Sequence, residues 1–235
     1  MLCHIVPDRE ETQKGKQMKI LVLSCDKYAD TFIPFHHCME KYWEGHPEVI
    51  YKTETIDNPF YKTIKANYPI QQWTKGVREV LSQIDDEQIL LMMDDCFIRR
   101  PVNKARIKYA SENLNGNIAN INFEKSWDIW DAPTDLVGFR RRCKGRPYEV
   151  SIMCGLWDKE KLMNVLRKDG SPWDVEWYQN NCGYDFLIND GDYIIDWGYK
   201  TWIPSGISRG KWCREVVPFF ESEGIEIDLT ERGII

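Results

Sequence analysis

Gln88-Ile-Leu-Leu-Met-Met-Asp94-Asp95-Cys-Phe-Ile98 decides the reading of this chain. An apolar run long enough for a fully buried strand ends in two adjacent carboxylates, and then apolar residues resume. Aspartate is a poor strand former and costly to bury unpaired, so a pair at a strand's end needs compensation. A divalent cation with hard oxygen ligands, of the kind that also holds a phosphorylated substrate, supplies it. The pair is therefore a candidate metal–nucleotide site. The competing reading is that Asp94 or Asp95 caps the next turn or helix.

Working outward, the first half alternates strands and helices. Lys19–Ser24 is a short, continuously apolar run, as in a buried parallel strand, and it ends in Ser24-Cys25-Asp26. Asp30–Trp43 reads as a helix with Phe32, Phe35, Met39 and Trp43 on one face. Val49–Ile56 reads as a strand. Gln71–Ile84 reads as a helix carrying Trp73, Val77, Val80, Leu81 and Ile84 at helical spacing. Ile89–Met93 is the strand before the Asp pair, Lys104–Asn113 a helix, and Asn117–Phe123 a further strand. A βαβα order of this kind predicts a mostly parallel central sheet with covering helices, Rossmann-like in its N-terminal half. Open sheets of that class bind ligands at the carboxyl ends of their strands, which is where Ser24, Asp26, Asp94 and Asp95 fall.

The second half is less regular. Ser126–Arg146 reads as a long loop or excursion holding the basic cluster Arg140-Arg141-Arg142. Such a cluster meets phosphates or forms a solvated basic patch. Tyr148–Met153 is expected as a strand and Lys159–Arg167 as a helix. Ser171-Pro172-Trp173-Asp174-Val175-Glu176 starts in a turn and runs into a helix. Tyr193–Gly198 is expected as a strand, and Trp212–Glu223 as including a helix broken near Pro218.

Bulk properties exclude several classes. The 235 residues carry a net charge of −6, with a pI near 5.4, so nothing draws the chain generally to nucleic acid or an anionic membrane. No apolar run is long enough to span a bilayer. Residues 1–17 do not read as a signal peptide and are expected to lie outside the core. The eight cysteines show no zinc-type spacing, which fits reduced thiols and a cytoplasmic protein. His36 and His37 are adjacent, so on a helix they diverge by about 100° and make a poor ligand pair.

In the order of its signals the chain resembles GT-A type nucleotide-sugar glycosyltransferases, and is similar to compact bacterial capsule and lipopolysaccharide enzymes of that type. The resemblance rests on Leu23-Ser-Cys-Asp26-Lys-Tyr28, Gln72-Trp73-Thr74-Lys-Gly-Val-Arg78, Leu90-Leu-Met-Met-Asp94-Asp95 and Val150-Ser-Ile-Met-Cys-Gly-Leu-Trp157. Pro172-Trp173-Asp-Val-Glu176 and Gly206-Ile-Ser-Arg-Gly210-Lys211-Trp212 complete it. Together these span most of the chain from Met18 onward. The resemblance implies one GT-A-like domain over residues 18–235, with a nucleotide-binding half (18–123) and an acceptor-binding half (124–235). It also implies a nucleotide-diphosphate sugar as donor and Mn²⁺ or Mg²⁺ at the acidic motif.

The family's usual motif is Asp-x-Asp. Here two Asp are adjacent and Cys96 follows them, which leaves open whether both carboxylates bind metal. Asp95 is assigned to the metal, and Asp94 to the nucleotide with the metal as its alternative. Ser24 and Asp26 would meet the nucleoside, although Asp26 has a capping role as its alternative. Arg78 and Lys211 would contact phosphate. Glu176 is the expected base that takes the acceptor hydroxyl's proton, and Asp174 its competitor. The acceptor implied is a glycan or lipid-linked saccharide. A hydroxylated DNA base, met through Arg140–Arg146, is the alternative acceptor, and a non-catalytic nucleotide- or carbohydrate-binding domain the alternative function.

Overall fold

The computed structural model describes residues 18–126, 128–179, 182–197 and 205–235. Residues 1–17, expected to lie outside the core, fall outside the described residues. Strands β1 (Met18–Leu23), β2 (Val49–Thr53), β3 (Lys62–Lys65) and β4 (Gln88–Met93) pair in parallel in the order β3-β2-β1-β4. The sheet continues through β8 (Gly155–Asp158), β5 (Ile118–Lys125), β9 (Asp185–Asn189), β7 (Phe139–Arg141) and β6 (Ala132–Pro133), giving nine strands among the described residues. Only β8 and β7 run against the direction of the others. The expected α/β fold with a mostly parallel central sheet is what forms.

Strand alternation explains how that sheet is covered. In β1, Ile20 and Val22 enter one core and Leu21 and Leu23 the other; in β4, Leu90 and Met92 oppose Ile89 and Leu91 in the same way. Successive side chains point to opposite faces, so a continuous apolar run demands helices on both. Helices α1 (Phe32–Tyr42), α3 (Lys104–Asn113) and α6 (Val216–Glu223) cover the first face. Helices α2 (Trp73–Leu81), α4 (Lys159–Val165) and α5 (Pro172–Tyr178) cover the second.

The second half departs from expectation at three places. Tyr148–Met153 forms no strand although residues 149–152 are buried; β8 starts at Gly155 instead. Tyr148 takes a left-handed backbone (φ 66°), which breaks an extended run. The N–H of Ile152 then goes to the Glu176 carboxylate rather than to a neighbouring strand. Of Tyr193–Gly198, residues 193–197 are described and form no strand, and the sheet position is taken by β9. Ile194 and Ile195 pack as a buried loop whose Ile194 carbonyl accepts from the Asn103 N–H. Pro218 does not break α6, because it sits in the first turn, where a missing N–H costs no helical bond.

A short hairpin, β10 (Ile207–Ser208) and β11 (Lys211–Trp212), and a last helix, α7 (Leu229–Arg232), close over the carboxyl ends of β1 and β4. The two-residue turn needs left-handed backbone at both central positions, and Arg209 (φ 53°) and Gly210 (φ 76°) provide it.

Candidate functional site

β1 and β4 are adjacent and parallel, so their polar tails meet at one edge of the sheet. Ser24 follows β1 and donates its hydroxyl to Asp94 Oδ2 at 2.5 Å. Asp94 is buried at 5% exposure, and the next helix, α3, is capped by Asn103 rather than by either aspartate. Burial and the neighbouring charge of Asp95 push its carboxyl well above the usual range, against the pull of Ser24. Asp95 is half-buried. Burial pushes it up to about 6, although the nearby Ser205 hydroxyl and Ile207 N–H favour its charged form. Two like charges are thus held side by side with their charge incompletely met.

Cationic and phenolic groups from elsewhere in the chain surround the pair. Arg232, on α7, grips Asp30 with both Nε (2.5 Å) and Nη2 (2.6 Å), stacks 4.3 Å from the Tyr28 ring centroid, and reaches Asp94 and Asp95 electrostatically. Tyr28 faces both carboxylates; burial and then the charges of Asp95 and Asp94 push its hydroxyl up to about 12. Lys52, at the end of β2, is buried, and burial lowers its pKa while Glu54, Cys25, Asp26 and Asp94 support its charge. The loop that carries the hairpin is pinned to the pair, since the Gly206 N–H donates to the Asp95 carbonyl at 2.8 Å. A Cβ at Gly206 would run into the Phe97 ring, so glycine is required there for close approach.

A second acidic group lies along the same edge. Glu176 on α5 accepts from the Ile152 N–H (3.2 Å) and the Ser151 hydroxyl (3.4 Å), both through Oε1. Burial, and then the charge of Glu124, push Glu176 up to about 7 against those hydrogen bonds and Arg142. Glu124 sits at the end of β5, as Asp94 sits at the end of β4. Cys96 lies between the two acidic groups, within electrostatic reach of both Asp95 and Glu124. Exposed Trp173 and Trp177 flank Glu176, and Trp177 packs against Tyr148 with ring centroids 5.7 Å apart.

The remaining expected residues have other partners. Asp26 accepts from the N–H groups of Glu54 and Thr55 at 3.0–3.1 Å and from the Thr55 hydroxyl at 2.5 Å, so it fastens the loop after β2. Asp174 forms a capping box with Ser171 at the start of α5, and those hydrogen bonds hold its carboxyl low. Arg78 binds the Leu166 carbonyl and Asp169 (2.9 Å) on the far side of α2, tying α2 to the end of α4. Lys211 is exposed on the β10–β11 hairpin. Arg140 binds the Asp131 carbonyl, Arg141 stays exposed and approaches Asp185 at 3.5 Å, and Arg142 is buried, so the three do not form one solvent-facing basic patch. His36 and His37 do diverge, to Tyr61 and Glu223.

Lys52, Glu124 and Arg232 did not stand out in the sequence. Glu124 carried a usable signal, a carboxylate closing the apolar run of β5. Arg232 carried none, because its partners Lys27 and Asp30 lie about 200 residues away.

No family model matches the sequence, and no curated protein matches it. Among solved structures, the mannosyltransferase PcManGT from Pyrobaculum calidifontis, in complex with GDP-Man and Mn²⁺, aligns at 8% identity over 76% of this chain and 56% of its own, with a TM-score of 0.51. The bifunctional IspDF from Campylobacter jejuni aligns at 12% identity over 75% of this chain (TM-score 0.45), and S. aureus TarS at 10% over 75% (0.47). The chain spans 50% and 36% of the length of those two proteins. Identities this low speak for the fold alone. The likeness to PcManGT is one of fold: a mixed α/β chain built on a large, mostly parallel central sheet.

Proposed function

We propose that the chain is a metal-dependent glycosyltransferase that moves a sugar from a nucleotide-diphosphate sugar to a hydroxyl of a glycan or lipid-linked saccharide. The observation that carries this reading is the pair Asp94–Asp95 at the crevice between β1 and β4, under-neutralised and bordered by Ser24, Lys52 and Tyr28. The donor set fits a hard divalent cation: two carboxylates whose like charges lack a full counterion. Among the described residues no group of three His, Cys, Asp or Glu could hold a metal. A cation bound here would draw its other ligands from donor phosphates and water, the usual habit of Mg²⁺.

Asp95, with Asp94 beside it, would hold Mn²⁺ or Mg²⁺, which when bound neutralises charge developing on the pyrophosphate leaving group. Ser24 orients Asp94. Lys52 and Lys211 offer positive charge to the donor's phosphates from two sides of the crevice. Glu176 takes the proton from the acceptor hydroxyl as that oxygen bonds to the anomeric carbon and the bond to the pyrophosphate breaks. The nucleoside diphosphate leaves with the bonding electrons. A base near neutrality suits this step, and the exposed Trp173 and Trp177 suit the apolar faces of a sugar ring.

A thermal-shift panel of nucleotide sugars with and without Mn²⁺ tests the reading, because a ligand of the native state raises its melting temperature. At least one nucleotide sugar should raise it only with metal present. No metal-dependent shift for any uridine, guanosine, cytidine or thymidine diphosphate sugar would end the proposal.

A further inference from the structure

Glu124 and Glu176 come from distant parts of the chain and converge on one hydroxyl. Ser151, buried at 3% exposure, donates to Glu176 Oε1 (3.4 Å) and lies near enough to the Glu124 carboxylate to favour its charged form. A serine has one proton to give, so it serves only one carboxylate at a time. The surroundings of the two acids differ. Arg142, whose side chain is 6% exposed, places Nη2 3.7 Å from Glu124 Oε2 and fixes Nη1 on the Tyr148 carbonyl at 3.0 Å. Glu176 has the Ile152 N–H on Oε1, and among the described residues Oε2 carries no hydrogen bond.

We propose that Glu124 is a positioning residue for the base: it stays ionised against Arg142, and that fixed charge makes Glu176 the member of the pair that exchanges the proton.

The inference rests on the transferase reading only for its purpose; the pairing itself stands on the geometry. Two carboxylates sharing a site titrate as a coupled pair, and the one nearer a cation ionises first. The other charged groups facing the pair do not reverse this order. Asp131 and Asp128 act on Arg142 and strengthen its charge. Cys96 and Cys154 face Glu124, but burial holds both thiols far above their ordinary range and so neutral. Burial also raises Glu124, with Arg142 and Ser151 pulling it back down. Glu176 is then the group poised near neutrality, and its Oε2, without a hydrogen bond among the described residues, is the atom offered to an acceptor hydroxyl.

The test is a carbon-detected NMR titration of the full chain labelled with ¹³C at glutamate carboxyls, with Glu176 and Glu124 identified by loss of signal in E176Q and E124Q. Glu176 should titrate near neutrality in the parent protein. In E124Q its midpoint should fall by about one pH unit, and E124D should restore most of that fall. Ser151→Ala should move the Glu176 midpoint upward, since a hydrogen bond to the charged form is lost; if E124Q does not fold, the order of titration in the parent and in Ser151→Ala decides the matter, Glu124 ionising below Glu176 in both. An unmoved Glu176 midpoint in a folded E124Q, or Glu124 titrating near neutrality in place of Glu176, overturns the proposal. A pairing that behaves as expected in a protein that binds no nucleotide sugar sinks the transferase reading and leaves this one standing.

Discussion

Ser24 Oγ lies 2.5 Å from Asp94 Oδ2, a hydrogen bond joining the carboxyl ends of β1 and β4 across 70 residues of sequence. It is the protein's own answer to a buried carboxylate, and a partial one, since a neutral hydroxyl cannot cancel a charge. Ser24→Ala removes it and leaves Asp94 buried without that donor. Equilibrium urea unfolding should show a loss of about 1–3 kcal/mol, with the circular dichroism spectrum unchanged.

Asp95→Asn should act in the opposite sense on stability. It removes one of two adjacent like charges while the Ser205 and Ile207 donors still find an amide oxygen. In metal-free buffer the variant should be more stable by about 0.5–2 kcal/mol, the usual direction when a strained functional site is relieved. Lower stability in the same urea titration would mean that the pair is a structural element.

Arg232→Lys tests whether α7 is locked over the site by a two-pronged grip. Lysine keeps the charge but cannot bind Asp30 through two parallel donors or stack flat on Tyr28. Stability should fall by about 1–3 kcal/mol, and limited proteolysis should cut the C-terminal segment faster than in the parent chain. Equal cleavage rates would show that the grip is not what holds α7.

Much of this arrangement could be read from sequence where strands are concerned. Leu21, Leu23, Leu90 and Met92 form unbroken apolar runs because both faces of their strands are covered, and that pattern survives without knowledge of neighbours. The acidic pair was equally visible, since two charges at the end of such a run have few bland explanations. What stayed hidden depends on long-range partners. Asp26, Arg78 and Asp174 are the right residue types for a site, but backbone groups of Thr55, Leu166 and Ser171 engage them. Tyr148–Met153 has strand-like spacing, but its N–H groups go elsewhere: Tyr148 to the Glu176 carbonyl, Glu149 to the Arg146 carbonyl and Ile152 to the Glu176 carboxylate.

Glu176 makes a pH prediction with a definite sign. A base pushed up to about 7 is protonated, and idle, below that pH. Transfer should therefore rise with pH through about 7 and level off above it, and E176Q should lose on the order of 10²–10⁴-fold in rate while still binding donor. Stability runs the other way. The folded-state value lies above the unfolded one near 4.5, so the folded state binds the proton more tightly. Stability attributable to this group is thus greatest below about 4.5 and declines as pH rises through about 7. E176Q should be the more stable protein at pH 8, by on the order of 1–3 kcal/mol, and no more stable than the parent at pH 4. Urea midpoints at the two pH values check both statements.

Asp94 and Asp95 are, in the proposed function, the place where a divalent cation and a nucleoside diphosphate meet. An electron paramagnetic resonance titration of Mn²⁺, with UDP and then GDP as probes, reads that meeting directly through the loss of the free-ion signal. The parent protein should capture Mn²⁺ far more strongly in the presence of a nucleoside diphosphate than either component does alone, and Asp95→Asn should abolish that gain. Capture by Asp95→Asn equal to that of the parent would contradict the account.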